Sequence, residues 1–304
     1  MENQNSYIFN FSKFLFKVIL IIGISGYLFG YVFEKTVIFK SEINRAAKVN
    51  RIINENDLNE TPIFGSSRAE GSYVPSLITS GEYFNYGMAD TQANIWLFFL
   101  EEELKKNKKT DIIINLDLWG IVYSDGNIGN YIPNYSITKK ILKQEGEFYY
   151  NIPFVKYFGQ FERYFKFYLN EKWNLTKITD FGGSFEKNKL SDKKFQELVQ
   201  KRKETPTVFS LEPDLSKKLN RLLESTDRKI FFVVAPCHES VFENFETIDE
   251  SNKFLFNLNK RNNVSVIDLR NLIQEDFLFL NTTHVNYDGA VVFSKKLNDL
   301  LKDD

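Results

Sequence analysis

The chain has 304 residues, of which 43% are hydrophobic and 26% are charged, a composition typical of a folded globular protein. Its 39 Lys and Arg residues balance its 40 Asp and Glu residues, which argues against a nucleic-acid partner. The single cysteine, Cys237, excludes an intrachain disulfide. With only two histidines and no Cys/His cluster, we expect no metal site and no cofactor.

The first predicted element is an apolar helix at 14–33, which follows a short tail at 1–13. Its 20 residues, with Lys17 as the only charge, can span a bilayer as a helix. No small-x-small cleavage site follows them, so we predict an uncleaved anchor that contacts the lipid bilayer through residues 14–33. Within it, Gly26 and Gly30 have the G-x-x-x-G spacing of a helix-contact face.

The basic residues around this helix favour a cytoplasmic domain by a simple count. Lys13 precedes the helix and Lys17 lies in its first turn, whereas five basic residues follow it between 35 and 51. That rule is weak for a large C-terminal domain, because such domains translocate largely regardless of charge.

Residues 34–60 are polar and charged, and they predict a juxtamembrane helix or stalk. From 61 to 304, short apolar runs alternate with segments of helical periodicity. The runs lie at 61–65, 82–87, 111–118, 229–236 and 264–269, and the helical segments at 92–106, 211–226, 247–262 and 288–302. The alternation predicts an α/β fold, a three-layer sandwich around a parallel sheet.

The interval 119–210 interrupts this alternation and is predicted to be a helical, aromatic-rich insertion. Its aromatic residues between 154 and 168 recur at helical spacing, which predicts an amphipathic helix that packs on the sheet or caps the site. A contact with the membrane surface is the alternative. The basic stretch 187–203 is interpreted as a solvated helix face, with a polyanion or lipid contact as the alternative.

Two polar segments, far apart in the chain, are candidates for chemistry. Gly65 precedes Ser66 and Ser67 where the first predicted strand ends, which is the edge where open α/β sheets bind ligands. A purely structural turn is the alternative. His284 lies in a polar loop just before the last helix, three residues after Asn281, and this is not a typical position for a core histidine.

Together, "IFGSSRA", "FNYGMADTQ" and "NTTHVNYDGA" resemble the SGNH/GDSL hydrolase superfamily. They resemble most its membrane-anchored bacterial branch, which includes the D-alanine transfer protein of teichoic-acid modification and proteins that acetylate cell-surface polysaccharides. The resemblance implies a flavodoxin-like fold with a five-stranded parallel sheet and an extracytoplasmic domain. It implies Ser67 as nucleophile, His284 as base, and Asn281 as the residue that orients the base. It also implies an oxyanion hole built from the N–H groups of Ser67 and Gly87, with Asn115.

Two positions depart from the family pattern. Asn281 stands where the family usually has Asp, which predicts a slower enzyme, and Asp117 lies near the position of an expected asparagine. Asp117, Arg68 and His238 are candidates for substrate binding, and a role as a rerouted catalytic acid is the alternative for Asp117. A surface role for Arg68 and a structural hydrogen-bonded role for His238 are the alternatives.

The resulting expectation is a single-pass membrane protein that acts as a serine acyl esterase or acyltransferase on acetyl or similar groups. Its partners would be a cell-envelope glycan or another acyl acceptor, and a polytopic membrane acyltransferase. Two other hypotheses stay open. One is a degenerate domain that binds a glycan or a membrane acyltransferase without catalysis, and the other is an anchored α/β domain whose Gly-Ser-Ser turn is structural.

Overall fold

The computed structural model describes residues 2–56, 58–123, 152–186 and 190–302, with side chains from residue 11 onward. The helices in these ranges are α1 (Glu2–Phe33), α2 (Arg45–Asn54), α3 (Ser67–Ser72), α4 (Ala93–Leu104), α5 (Pro153–Lys156), α6 (Phe161–Trp173), α7 (Asp192–Lys203), α8 (Pro213–Glu224), α9 (Ile248–Leu258) and α10 (Tyr287–Lys302). The strands are β1 (Thr61–Phe64), β2 (Tyr83–Asn85), β3 (Ile112–Asn115), β4 (Gly120–Ile121), β5 (Lys177–Asp180), β6 (Gly183–Glu186), β7 (Ser210–Leu211), β8 (Ile230–Val234), β9 (Val264–Asp268), β10 (Phe279–Asn281) and β11 (His284–Val285).

The central sheet is parallel and has five strands in the order β2-β1-β3-β8-β9. Counted along the chain within this sheet, the order is 2-1-3-4-5, which is that of flavodoxin-like folds. The five predicted strands and the predicted fold class are therefore confirmed. In such a sheet the strand order reverses between β1 and β3, and ligands bind beyond the carboxyl ends of these strands.

Helices cover both faces of the sheet, which explains why its central strands β3 and β8 are nearly continuous apolar runs. One face packs against α2, α4, α8 and α9 through a large core that includes Ile114 and Phe232. The other face packs against α3 and α10 through a core that includes Ile113, Val233 and Phe293. Neighbouring residues of β3 thus point to opposite layers, as the pleat of a strand requires.

The N-terminal helix is continuous, and the stretch Phe11–Ile38 is long and apolar enough to cross a membrane. Its side chains are mostly exposed as far as residue 29, and a π-helical turn, Glu34–Ile38, follows α1. The next helix, α2, lies within the range predicted as a stalk. It buries Val49 and Ile52 in the core of the domain, so this part of the range belongs to the folded body.

The interval 119–210 contains α5, α6, α7 and the short strands β4 to β7, while residues 124–151 and 187–189 of it lie outside the described residues. The antiparallel hairpin β5–β6 was not predicted. In the basic stretch, α7 buries Phe195 and Val199 and exposes its lysines, as expected of a solvated helix face.

The prediction that the aromatic segment forms one helix on the sheet or over the site is wrong. The segment forms two helices, α5 and α6, whose aromatic rings find partners on α1. The ring of Phe161 lies 5.4 Å from that of Phe29 and 5.1 Å from that of Phe33. The ring of Phe154 lies 6.5 Å from that of Phe29. Aromatic pairs at these separations attract one another.

The two glycines with G-x-x-x-G spacing form the surface on which α5 packs. A Cβ atom on Gly30 would lie 2.4 Å from the backbone nitrogen of Phe154, and one on Gly26 would lie 3.7 Å from its ring. The small-residue face of α1 is therefore used within the chain.

We expect Gly30→Ala to separate α5 from α1 and to lower stability by roughly 1–3 kcal/mol, the usual cost of an overpacked contact. Gly23→Ala is the matched control, because a Cβ atom on Gly23 meets nothing within 4 Å. Thermal unfolding of both full-length variants in detergent, with protease cleavage near residue 153, measures the effect. Equal unfolding temperatures for the two variants would contradict this packing.

Candidate active site

Ser67 lies just beyond the carboxyl end of β1, beside the point where the strand order reverses. Gly65 turns the chain with a φ of 152°, a conformation that side chains rarely permit. A Cβ atom on Gly65 would also lie 2.7 Å from that of Ala69 and 3.0 Å from that of Asn115. Because the chain turns this sharply, Ser67 begins α3 with a half-buried side chain at the edge of the sheet.

The structure brings Ser67, His284 and Asn281 together. Oγ of Ser67 lies 2.8 Å from Nε2 of His284, although 217 positions separate them in the sequence. Nδ1 of His284 lies 3.0 Å from Oδ1 of Asn281. The three side chains therefore form a continuous line of hydrogen bonds with the geometry of a nucleophile, a base and a residue that orients the base.

The orientation of the Asn281 amide determines which nitrogen of His284 carries the proton. Oδ1 of Asn281 also accepts hydrogen bonds from the backbone N–H groups of Thr283 and His284, both at 3.0 Å. An oxygen must occupy this position, because an amide NH2 group cannot accept from them. Nδ1–H of His284 therefore donates to Asn281, and Nε2 is left to accept from the Ser67 hydroxyl. This is the tautomer that a general base requires.

His284 is held in its neutral form. Burial, assisted by the nearby Arg68 guanidinium, lowers the pKa of His284 to about 4. The described side chains that contact the ring nitrogens are neutral, namely Ser67, Asn281 and Thr283. An amide oxygen stabilises imidazolium less than a carboxylate does, so the ring remains an acceptor at neutral pH.

His238 supports the hairpin β10–β11, which carries the candidate base. Its backbone N–H donates to the carbonyl oxygen of Thr282 at 2.9 Å. Its buried ring lies between two partners, with Nδ1 2.9 Å from Oγ of Ser240 and Nε2 3.0 Å from Oδ1 of Asp276. Since both ring nitrogens are occupied by the protein, the structure corresponds to the structural alternative for His238, not to substrate binding.

The predicted oxyanion hole is not assembled in this structure. The N–H of Ser67, at the start of α3, has no acceptor within its helix. The N–H of Gly87, however, donates to Oδ1 of Asn85 at 2.8 Å. The amide NH2 of Asn115 donates to Oδ1 of Asp117 at 3.3 Å. Two of the three predicted donor residues therefore bond other groups of the chain.

Arg68 and Asp117, both predicted to bind substrate, form a buried ion pair instead. Arg68 is fully buried, and its Nη1 lies 3.6 Å from Oδ1 of Asp117 while its Nη2 donates to the carbonyl oxygen of Ala235. Burial raises the pKa of Asp117, although Arg68 and a hydrogen bond from Ser66 oppose the shift. The pair joins the ends of β1, β3 and β8, and neither side chain forms part of an open binding surface.

Lys48 of α2 is a site residue that sequence reasoning missed. It is buried, and its Nζ donates to the carbonyl oxygen of Gly87 at 2.6 Å. Glu70 of α3 holds the same turn by accepting from the Ala89 backbone N–H at 2.7 Å. The spacing of the sequence could have indicated that Lys48 is buried, because Lys48 lies four residues before Ile52 and therefore on the same apolar face of α2.

The other candidate chemistry in the described ranges is limited. Cys237 is buried, and burial raises the pKa of its thiol to about 11, so a reactive thiolate is disfavoured at neutral pH. Among the described residues, no group of three or more His, Cys, Asp or Glu side chains could hold a metal ion.

Comparison with known proteins gives little further information. No family model matches the chain, and no curated protein matches it. Among solved structures, it is similar to a protein from Streptococcus pneumonia provisionally described as a platelet activating factor, with a TM-score of 0.40 and 12% sequence identity over 90% of this chain and 99% of the other. A similarity of this size carries no argument about activity.

We expect His284 to titrate near pH 4 and Asn281→Asp to raise that midpoint by roughly 1–3 pH units, since a carboxylate stabilises the imidazolium beside it. The variant retains the oxygen that accepts the backbone N–H groups. With only two histidines in the chain, NMR of the full-length protein labelled at histidine resolves both rings, and His284→Gln assigns them. A midpoint near 6.5 in the unaltered protein, or no rise in the variant, would contradict this environment.

We expect Lys48→Met to change how stability depends on pH. Burial lowers the pKa of Lys48 to about 8, against 10.5 for an ordinary lysine, with Glu70, Glu171, Glu42 and Arg45 as the charged groups around it. Between these values only the unfolded chain keeps the proton, so this lysine makes the protein more stable as the pH rises. The gain is on the order of 3 kcal/mol, because each pH unit corresponds to about 1.4 kcal/mol. The methionine at position 48 does not titrate, so the Lys48→Met variant should not gain stability as the pH rises through this range.

Thermal unfolding of the full-length variant in detergent from pH 8 to pH 10.5 measures the difference. Lys40→Met, at an exposed lysine, is the control and should run parallel to the unaltered protein. Parallel curves for all three proteins would show that Lys48 titrates normally.

Proposed function

We propose that this chain is a membrane-anchored serine acyl esterase or acyltransferase of the SGNH/GDSL type, acting on acetyl or similar groups of cell-envelope glycans. The observation that carries the proposal is the 2.8 Å hydrogen bond from Ser67 to a neutral His284 that Asn281 orients. The resemblance of three sequence segments to that superfamily and the apolar N-terminal helix support the cell-envelope setting.

In the first half of the reaction, Ser67 becomes acylated. His284 Nε2 removes the proton from Ser67 Oγ while this oxygen attacks the acyl carbon. The resulting tetrahedral oxyanion would be stabilised by the Ser67 N–H. As the carbon–oxygen bond to the alcohol breaks, His284 gives the proton to the leaving oxygen, and the acyl group stays on Ser67.

In the second half, an acceptor removes the acyl group. His284 takes a proton from water or from a sugar hydroxyl, whose oxygen attacks the acyl carbon. Ser67 Oγ leaves and recovers its proton from His284. Water makes the protein an esterase, and a sugar hydroxyl makes it a transferase. The extracytoplasmic orientation of the domain and a polytopic membrane acyltransferase as partner belong to this proposal.

A second candidate function is a non-catalytic domain that binds a glycan or a membrane acyltransferase. The hydrogen bonds of Gly87 and Asn115 to other groups of the chain favour it, because an acyl-transfer site needs donors aimed at the oxyanion. It predicts that Ser67 does not react.

We expect Ser67→Ala to abolish the activity, because Ser67 Oγ is the atom that carries the acyl group. Hydrolysis of p-nitrophenyl acetate by the full-length protein in detergent should fall at least about 100-fold. Covalent labelling by a fluorophosphonate should also disappear.

Ser80→Ala is the control, since Ser80 is exposed and bonds only Tyr83 among the described contacts. It should retain both hydrolysis and labelling. If the unaltered protein is not labelled and hydrolyses the ester no faster than Ser67→Ala, the enzyme proposal fails and the binding domain is favoured.

A further inference from the structure

The segment 153–161, which we call the aromatic turn, lies against the anchor helix and exposes large apolar side chains. It comprises α5 and the residues that lead into α6. We propose that the aromatic turn inserts into the phospholipid bilayer beside α1. The domain would then contact the bilayer through two elements: α1, which crosses it, and the aromatic turn, which inserts into it.

The position of the aromatic turn along α1 sets its depth. Phe154 packs on Gly26 and Gly30, and Phe161 packs on Phe29 and Phe33. If residues 14–33 span the hydrocarbon, these contacts fall within its last ~10 Å, because a helix rises about 1.5 Å per residue. The aromatic turn therefore lies at the depth of acyl chains, not above the headgroups.

The outer side of the aromatic turn is apolar and has no cover among the described residues. Phe158 is 74% exposed and Val155 is 43% exposed. The ring of Phe158 lies 6.2 Å from that of Phe154, so it continues the apolar surface that α1 begins. Phe29 of α1 is itself 53% exposed on this surface. The same medium that surrounds α1 must therefore meet Phe158.

Two polar side chains of the aromatic turn, Lys156 and Tyr157, bond the same carboxylate on the segment that follows α1. Glu34, the first charged residue after the apolar span, is buried, accepts from the hydroxyl of Tyr157 at 2.8 Å and pairs with the ammonium group of Lys156. A carboxylate without partners is costly at the edge of a bilayer. Both partners of Glu34 come from the aromatic turn. The packing of this turn against α1 therefore places Phe158 beside the lipid and also neutralises the Glu34 carboxylate at the end of the span.

A bilayer fits this surface better than a protein partner does. The surface is a direct extension of a helix that already needs lipid around it, and aromatic side chains are enriched at the boundary between acyl chains and water. The inference depends on α1 as an anchor and not on the chemistry of Ser67.

Site-directed spin labelling of the full-length protein in phosphatidylcholine vesicles tests the proposal. Phe158→Cys carries the nitroxide, and the native Cys237 is too buried to compete for the label. Collisions with oxygen, which dissolves in lipid, should exceed those with a water-soluble nickel complex severalfold. Phe256→Cys is the matched control, because Phe256 on α9 is 61% exposed, and there the nickel complex should dominate.

If the nitroxide at position 158 collides more often with the nickel complex than with oxygen, the proposal is overturned. Few collisions with either reagent would also overturn it, because they would indicate that protein covers this position. A lipid-like label at 256 would also overturn it, since the signal would then come from the label itself. If Phe158→Cys does not fold, a nitroxide on Val155→Cys, about one turn earlier in the chain, gives the same comparison of collisions with oxygen and with the nickel complex. Because the readout involves no hydrolysis, its failure is distinct from a failure of the proposed acyl chemistry.

Discussion

The hydrogen bond between Ser67 and His284 is the contact on which the candidate site depends, and the fold fixes the positions of both residues. Ser67 is fixed by the turn at Gly65, and His284 by the hairpin that His238 supports. The two ends are then joined, because the Ser294 hydroxyl of α10 accepts from the Val74 backbone N–H just after α3. These contacts are buried, so neither end can move alone without leaving a polar group unpaired.

The electrostatics of the site differ from those of a carboxylate triad. The positive charge of Arg68 lies near His284, and the compensating Asp117 pairs with Arg68 and not with the imidazole. The arrangement keeps His284 unprotonated at neutral pH, but its lowered pKa also makes it a weaker base, since Arg68 and burial disfavour the imidazolium. A site of this kind keeps the base free of a proton in the resting state but does not stabilise the charge that forms on it during the reaction.

The helix α2, which follows α1 in the chain, is part of the domain and contacts the candidate site. The helix α2 delivers Lys48 to the carbonyl oxygen of Gly87, and the turn at Gly87 is where an oxyanion donor would be expected. The same region is joined to the end of α1, because Glu34 bonds the aromatic turn and Glu171 of α6 accepts from the backbone N–H of Ile43. A continuous set of contacts therefore runs from the end of α1 to the edge of the sheet.

The sequence by itself determined the long apolar N-terminal helix and the five strands, because apolar periodicity is a local feature of the chain. The pairing of Ser67 with His284 was implied only by the resemblance of three segments to a known superfamily, since 217 positions separate the two residues. Only the tertiary structure decided the partners of Gly87, Asn115, Arg68 and Lys48. Each of these side chains or N–H groups bonds a group that the fold, not the local sequence, places beside it. The aromatic segment was placed wrongly for the same reason: its spacing predicts an apolar face, but which surface covers that face depends on where α1 lies. The spacing of apolar residues indicates which side chains must be shielded from water, and only the folded chain shows which residues they contact.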